Sequence, residues 1–250
     1  MLMVTHPHPE DKLYSHLPHT LYTLALRCWP RYYKLHSELR QIFSAAGVQW
    51  SSPLLASSEM LSIMQRIHAP LLTSLDLEFR ADSSDRRLFH HIGVALPSLI
   101  LLRIHRYRMP GEDEPPLVEI ARALSPLQDL EVLMLHLDFV DLPPVQAEVP
   151  ERLWQGEFTY PDRRQQYRDS NRTLAHAANV MASLLGPSLV CIHFLRPRRG
   201  DVPQWEPFHL VRSSNADGED SVTAVHFPAH RVYLDGHSDL PYMEYIYEDD

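Results

Sequence analysis

Three short stretches place ionisable, aromatic or sulfur-bearing side chains at every second position: Asp76-x-Glu78-x-Arg80, Arg103-x-His105-x-Tyr107 and Met134-x-His136-x-Asp138. A two-residue period is that of a β-strand, whose alternate side chains share one face. Ala25-x-Arg27 and His193-x-Leu195 repeat the spacing on either side. Laid edge to edge, these stretches give one row of Ala25, Asp76, Arg103 and Met134 and a second of Arg27, Glu78, His105 and His136. Arg80, Tyr107 and Asp138 lie beyond them. Arg, His, Tyr and Met beside acids on an exposed face is the mixture that protein recognition uses. The same residues admit an enzyme, with His105, His136 or Asp138 as general acid or base. A purely structural use is cross-strand pairing, Asp76 with Arg103 for example, worth roughly 0.2–1 kcal/mol per pair.

Other chemistries find less footing. The chain has only 8 glycines in 250 residues and no phosphate-cradling loop. It contains no G-x-S-x-G, no H-E-x-x-H and no C-x-x-C. Histidine is plentiful at 16, yet His90 and His91 are adjacent and cannot share one helix side, and His6 and His8 fall in a segment expected to be a tail. No metal and no cofactor are expected. The two cysteines, Cys28 and Cys191, lie far apart and read as buried thiols of a reducing compartment. A net charge of −9 disfavours a general nucleic-acid or anionic-membrane surface, although Arg163-Arg164 and Arg196, Arg198 and Arg199 form local basic clusters. The sixteen histidines outnumber that net charge, so full protonation would reverse its sign. Val94 to Leu102, the longest apolar stretch, is interrupted by Pro97 and is too short to span a bilayer.

The elements that would position the polar rows are set by a leucine frame, L-x-x-L-x-L. It occurs at Leu21-Leu24-Leu26, Leu72-Leu75-Leu77, Leu99-Leu102-Ile104, Leu130-Leu133-Leu135 and Leu189-Ile192-Phe194. Its last two intervals have the strand period, and a helical pattern precedes four copies. These patterns run over Ser57 to His68, Arg87 to Leu96, Leu117 to Leu124 and Asn171 to Leu185, closed by Pro70, Pro97, Pro126 and Gly186-Pro187. Helix, stop and apolar strand in recurrence is how a leucine-rich repeat builds successive rungs. The fold expected is therefore α/β, an irregular solenoid or horseshoe with a parallel sheet. Ala45-Val48-Trp50 and Leu153-Gly156-Phe158 are candidate degenerate rungs in the two long gaps, and Pro143-Pro144 with Pro161 to Asp169 around the second read as a polar insertion. Residues 1–16 are expected as a flexible tail, 17–203 as the repeat domain, and 204–250 as a β-rich cap and acidic tail. In that cap, Phe208 to Val211 and Val222 to Phe227 form a hairpin.

The stretch Leu17-Pro18-His19-Thr20-Leu21-Tyr22-Thr23-Leu24-Ala25-Leu26, with the phrases beginning Pro70-Leu71-Leu72 and Leu96-Pro97-Ser98-Leu99, resembles the leucine-rich region of F-box-type proteins of mushroom-forming fungi. The resemblance covers about Leu17 to Leu195. It implies a cytoplasmic or nuclear module whose repeats choose a protein for ubiquitination, while a separate F-box recruits a cullin adaptor. No F-box pattern precedes Leu21, so the chain reads as the recognition half alone, either a free-standing binder or a truncated product without function. As a binder it is expected to engage a protein partner, not nucleic acid or membrane, and not to bind the adaptor.

Overall fold

The structure, a computed structural model, describes residues 1–28, 54–109, 111–140, 142, 161–196, 204–214 and 220–226. Each frame folds as its spacing predicts. The strands are β1 (Leu2–Thr5), β2 (Thr23–Arg27), β3 (Ser74–Arg80), β4 (Leu101–Tyr107), β5 (Val132–His136), β6 (Cys191–Arg196), β7 (Gln204–Ser214) and β8 (Asp220–His226). They form one open sheet in strict chain order, parallel from β1 to β6 and antiparallel from β6 to β8. The fold is thus α/β with a mostly parallel sheet.

The pairing register aligns the frames. Leu24, Leu75, Leu102, Leu133 and Ile192 stand side by side, and so do Leu26, Leu77, Ile104, Leu135 and Phe194. All ten have no exposed surface. They share one core with the inner faces of four helices: α1 (Ser57–Met64), α2 (Asp85–Ala95), α3 (Leu117–Leu124) and α4 (Pro161–Ala182). Among the helix contributions are Met60 and Ile63, Leu88 and Ile92, Ile120 and Leu124, and Leu174 and Met181, pairs three or four residues apart or two turns apart on one stripe.

The ends of the chain differ from expectation. The N-terminal segment is not a free tail: Leu2–Thr5 pairs with β2, and Asp11 caps a 3-10 turn over Lys12–His16 by accepting the Leu13 N–H. Arg66 ties the connecting segment down, donating to the carbonyls of Pro9 and Asp11 and lying over the Tyr14 ring. The alternation of Leu2 and Val4 is too short to read as a strand until β2 supplies the pairing partner. Helix α4 begins at Pro161, ten residues before the expected start, so the Pro161 to Asp169 part of the presumed polar insertion lies in its first half. Proline suits a first helical turn, and Gln165–Asp169 and Asp169–Arg172 pairs at helical spacing support a stretch with no apolar stripe.

The expected hairpin is present with longer strands, and it continues the sheet beyond β6. Arg212 fastens it by donating to the carbonyls of Gly186, Pro187 and Leu189 at 3.0–3.1 Å. The candidate degenerate rungs and the acidic tail lie outside the described residues.

Candidate functional site

The two rows read from the sequence exist in register. Ala25 faces Asp76, Asp76 faces Arg103, Arg103 faces Met134, and Met134 faces His193. Glu78, His105 and His136 follow in the second row, and Arg80 pairs with Tyr107 in the third. By strand alternation they occupy the sheet side opposite the leucine core. Met134, Leu195 and Trp205 form an apolar cluster there, separate from that core.

The exposure expected of this side is not what the structure shows. Arg27, Glu78, Arg103, His105, Tyr107, Met134, His136 and His193 are all buried, with His105 at 0% and Glu78 at 1% exposure. Asp76 is nearly so, its side chain 13% exposed. Of the eleven residues singled out, only Arg80 is exposed, with Asp138 next at 38% of its side chain. Part of the cover is the Met134, Leu195 and Trp205 cluster, with Trp205 packing against His105 and Arg103.

Within the layer, several charges and dipoles are paired. Asp76 sits between two guanidinium groups, 3.6 Å from Arg27 and 3.8 Å from Arg103. Arg103 also lies over the Trp205 ring, its guanidinium carbon 5.7 Å from the centroid. The Glu78 carboxylate accepts the Cys28 N–H at 3.0 Å and the Tyr107 hydroxyl at 2.8 Å. The His136 ring centroid lies 4.9 Å from that of Tyr107 and 5.9 Å from that of His105, and Trp205 and His105 meet in a T-shaped arrangement with centroids 5.4 Å apart. A cross-strand polar mosaic of this kind specifies register, since slipping one strand by a residue would bury charge without its counter-charge.

A proton-transfer reading draws no support from this geometry. His105 and His136 are buried beside each other, while Asp138 stands apart, pairing with Arg108 at 3.5 Å in a left-handed backbone conformation (φ 51). Cys191 lies 3.3 Å from His193 Nε2, the arrangement of an activated thiol. Burial nevertheless pushes its pKa up to about 12, against the smaller lowering by the Phe208 backbone donor, so the thiol stays protonated. Among the described residues no group of three or more His, Cys, Asp or Glu could hold a metal ion. No helix among them is long and apolar enough to cross a membrane.

Two groups escaped the sequence reading. Trp205 belongs to the buried layer because β7 starts at Gln204. Pro207 within the strand hid that start, although the alternation of Trp205 with Pro207 and His209 was there to be read. Near the same strand ends, Arg106 joins Asp85 at 2.5 Å and Glu112 at 2.6 Å, linking β4 to the start of α2 and to the following loop. Comparison of the chain with protein-family models, curated proteins and solved structures gives no match.

Proposed function

We propose that this chain is a non-catalytic protein-interaction module of leucine-rich-repeat type, similar to the substrate-recognition repeats of fungal F-box proteins and acting in cytoplasm or nucleus. The observation that supports this reading is the pair of unbroken leucine rows, one residue per strand, on strands that neighbour each other in chain order. Such an assembly is extended by adding rungs, and it offers a partner a rim along which successive strand ends present side chains.

Since the polar rows are buried, the recognition surface is assigned to the C-terminal ends of β3 to β5. Arg80 is exposed there, and Met109 and Val140 are exposed at 42% and 47%. The Arg108–Asp138 pair, each side chain 38% exposed, lies beside them. Cation, ion pair and isolated apolar side chains make a chemically mixed contact surface.

Replacing Arg80, Met109 and Val140 together by alanine should weaken partner capture by at least about tenfold. Replacing the exposed Arg86 and Arg87 on α2 should leave it unchanged. Undiminished capture by the triple variant would overturn the assignment. The 250 residues alone should not bind a cullin adaptor, and tight binding in a purified mixture would contradict the reading.

A further inference from the structure

Arg106 is the buried end of a hydrogen-bond chain that reaches the rim assigned above to recognition. Its side chain is 3% exposed; Nε donates to Asp85 Oδ2 at 2.5 Å and Nη2 to Glu112 Oε1 at 2.6 Å. Asp85 is itself held, because its other carboxylate oxygen accepts the Asp82 N–H at 3.3 Å. Asp82 in turn accepts from the Ser57 and Ser58 hydroxyls at the start of α1. The guanidinium is therefore anchored to the starts of two helices before it meets the β4–α3 loop.

The outer end of the chain is a tight turn. The Glu112 N–H donates to the Met109 carbonyl at 3.2 Å, and the Met109 N–H returns to Glu112 Oε2 at 3.0 Å. Between them Gly111 has φ 83, a left-handed conformation that residues with a Cβ rarely adopt. One carboxylate thus serves a buried guanidinium with one oxygen and the Met109 amide with the other. Opening the turn would strip Arg106 Nη2 of this charge-assisted acceptor where little water reaches it.

We propose that Glu112 is the positioning residue of the recognition rim, an inference that rests on the reading of that rim given above. Its side chain is 14% exposed, too little to meet a partner, so it acts through Met109, which is exposed. Clamped on Arg106, it holds the turn in one conformation before any partner arrives. Arg108, the preceding residue, is tied separately to Asp138 through its N–H at 3.4 Å. Contact groups ordered in advance lose less freedom on association, which raises affinity without adding a contact.

Amide hydrogen exchange of the full chain, read at Met109, tests the clamp without a partner. Glu112→Ala removes both acceptors, and Glu112→Gln keeps the shape but turns an NH2 group against one of the two donors. Each should speed exchange at Met109 at least about tenfold and move the Met109 methyl resonance of methionine-labelled protein toward its unfolded position. Leu102 and Ile104, mid-strand in β4, should change far less. Glu114→Ala, an exposed charge in the same loop, should change neither readout. Unchanged exchange at Met109 in both Glu112 variants, or equal acceleration along β4, would overturn the proposal. Should Glu112→Ala fail to fold, Glu112→Gln and Gly111→Ala decide; the latter strains the turn in open space and should also speed exchange at Met109.

The capture assay separates this proposal from the reading beneath it. With the partner that wild type captures as probe, Glu112→Gln should weaken capture about threefold to tenfold, although Met109 is intact. Capture lost in the Arg80, Met109 and Val140 variant but undiminished in Glu112→Gln would overturn the positioning role alone. Capture undiminished in the triple variant would overturn the rim itself, and the positioning role with it.

Discussion

Leu102 and Asp82 show the two ways a single side chain acts in this protein. Leu102 has no exposed surface and sits mid-row between Leu75 and Leu133. Truncation there empties volume that neither neighbour can fill, so Leu102→Ala should cost about 2–5 kcal/mol in chemical denaturation. A loss below about half a kilocalorie would contradict its place in the core. Asp82 acts through hydrogen bonds instead. The residue before α1 is Ala56, which has no capping group, and Asp82 from the β3–α2 loop takes over by accepting from Ser57 Oγ, Ser58 N and Ser58 Oγ at 2.6–3.1 Å. Burial alone would raise its pKa, but donors from Ser57, Ser58 and Ser84 outweigh that and bring it from the ordinary 3.8 down to about 2. The folded-state value is the lower one, so the stabilisation is present above pH 3.8 and fades as pH falls toward 2. Asp82→Ala should therefore cost about 0.5–2 kcal/mol near neutrality. Urea titrations at neutral and strongly acidic pH should find the gap to wild type narrowing in acid; a gap independent of pH would remove the carboxylate's charge from the account.

Between elements, α2 and α3 approach closely at Gly93. A Cβ built on Gly93 would stand 2.4 Å from the Ala123 carbonyl oxygen and 3.3 Å from Pro126 Cδ. The obstacle is backbone, which cannot rotate aside as a side chain can. An alanine in an exposed helix interior usually gains up to about 1 kcal/mol over glycine. Here Gly93→Ala should instead lose about 1–3 kcal/mol, because the helices must part or shift along their axes. A thermal midpoint equal to or above that of wild type would show that α2 and α3 have more freedom than this packing allows. Gly93 thus lets α2 lean directly on the α3 backbone at Ala123.

Across the molecule, one apolar core runs from Tyr14 near the first strand to Ala224 in the last. Neighbouring strand–helix units that share a continuous core unfold together when no interface between them is much weaker than the rest. Far-UV circular dichroism and tryptophan fluorescence should accordingly trace the same urea transition. Leu26→Ala and Phe208→Ala, in β2 and β7, should each move that shared transition without splitting it. Two separated transitions would place a boundary within the sheet.

The strand period of the leucine frames is a property of local backbone geometry, and so it was legible before any contact was known. Ten frame leucines and their replacements are fully buried, α3 spans Leu117–Leu124 as its spacing requires, and Asp76, Arg103 and Met134 stand in the row that alternation demands. Whether a row faces water depends on what lies across from it, and periodicity carries no information about that. His105 and Glu78 were for this reason placed on the correct strands and the correct side, yet assigned to an exposed surface that the folded chain buries. Leu2–Thr5 and the first half of α4 were missed for a related reason. Four residues hold too few alternations to declare a strand, and a helix without an apolar stripe has no periodic signal, so pairing with β2 and continuity into the apolar half of α4 decided both. Local geometry thus determined which side chains share a face, and tertiary packing alone determined that the polar face is interior.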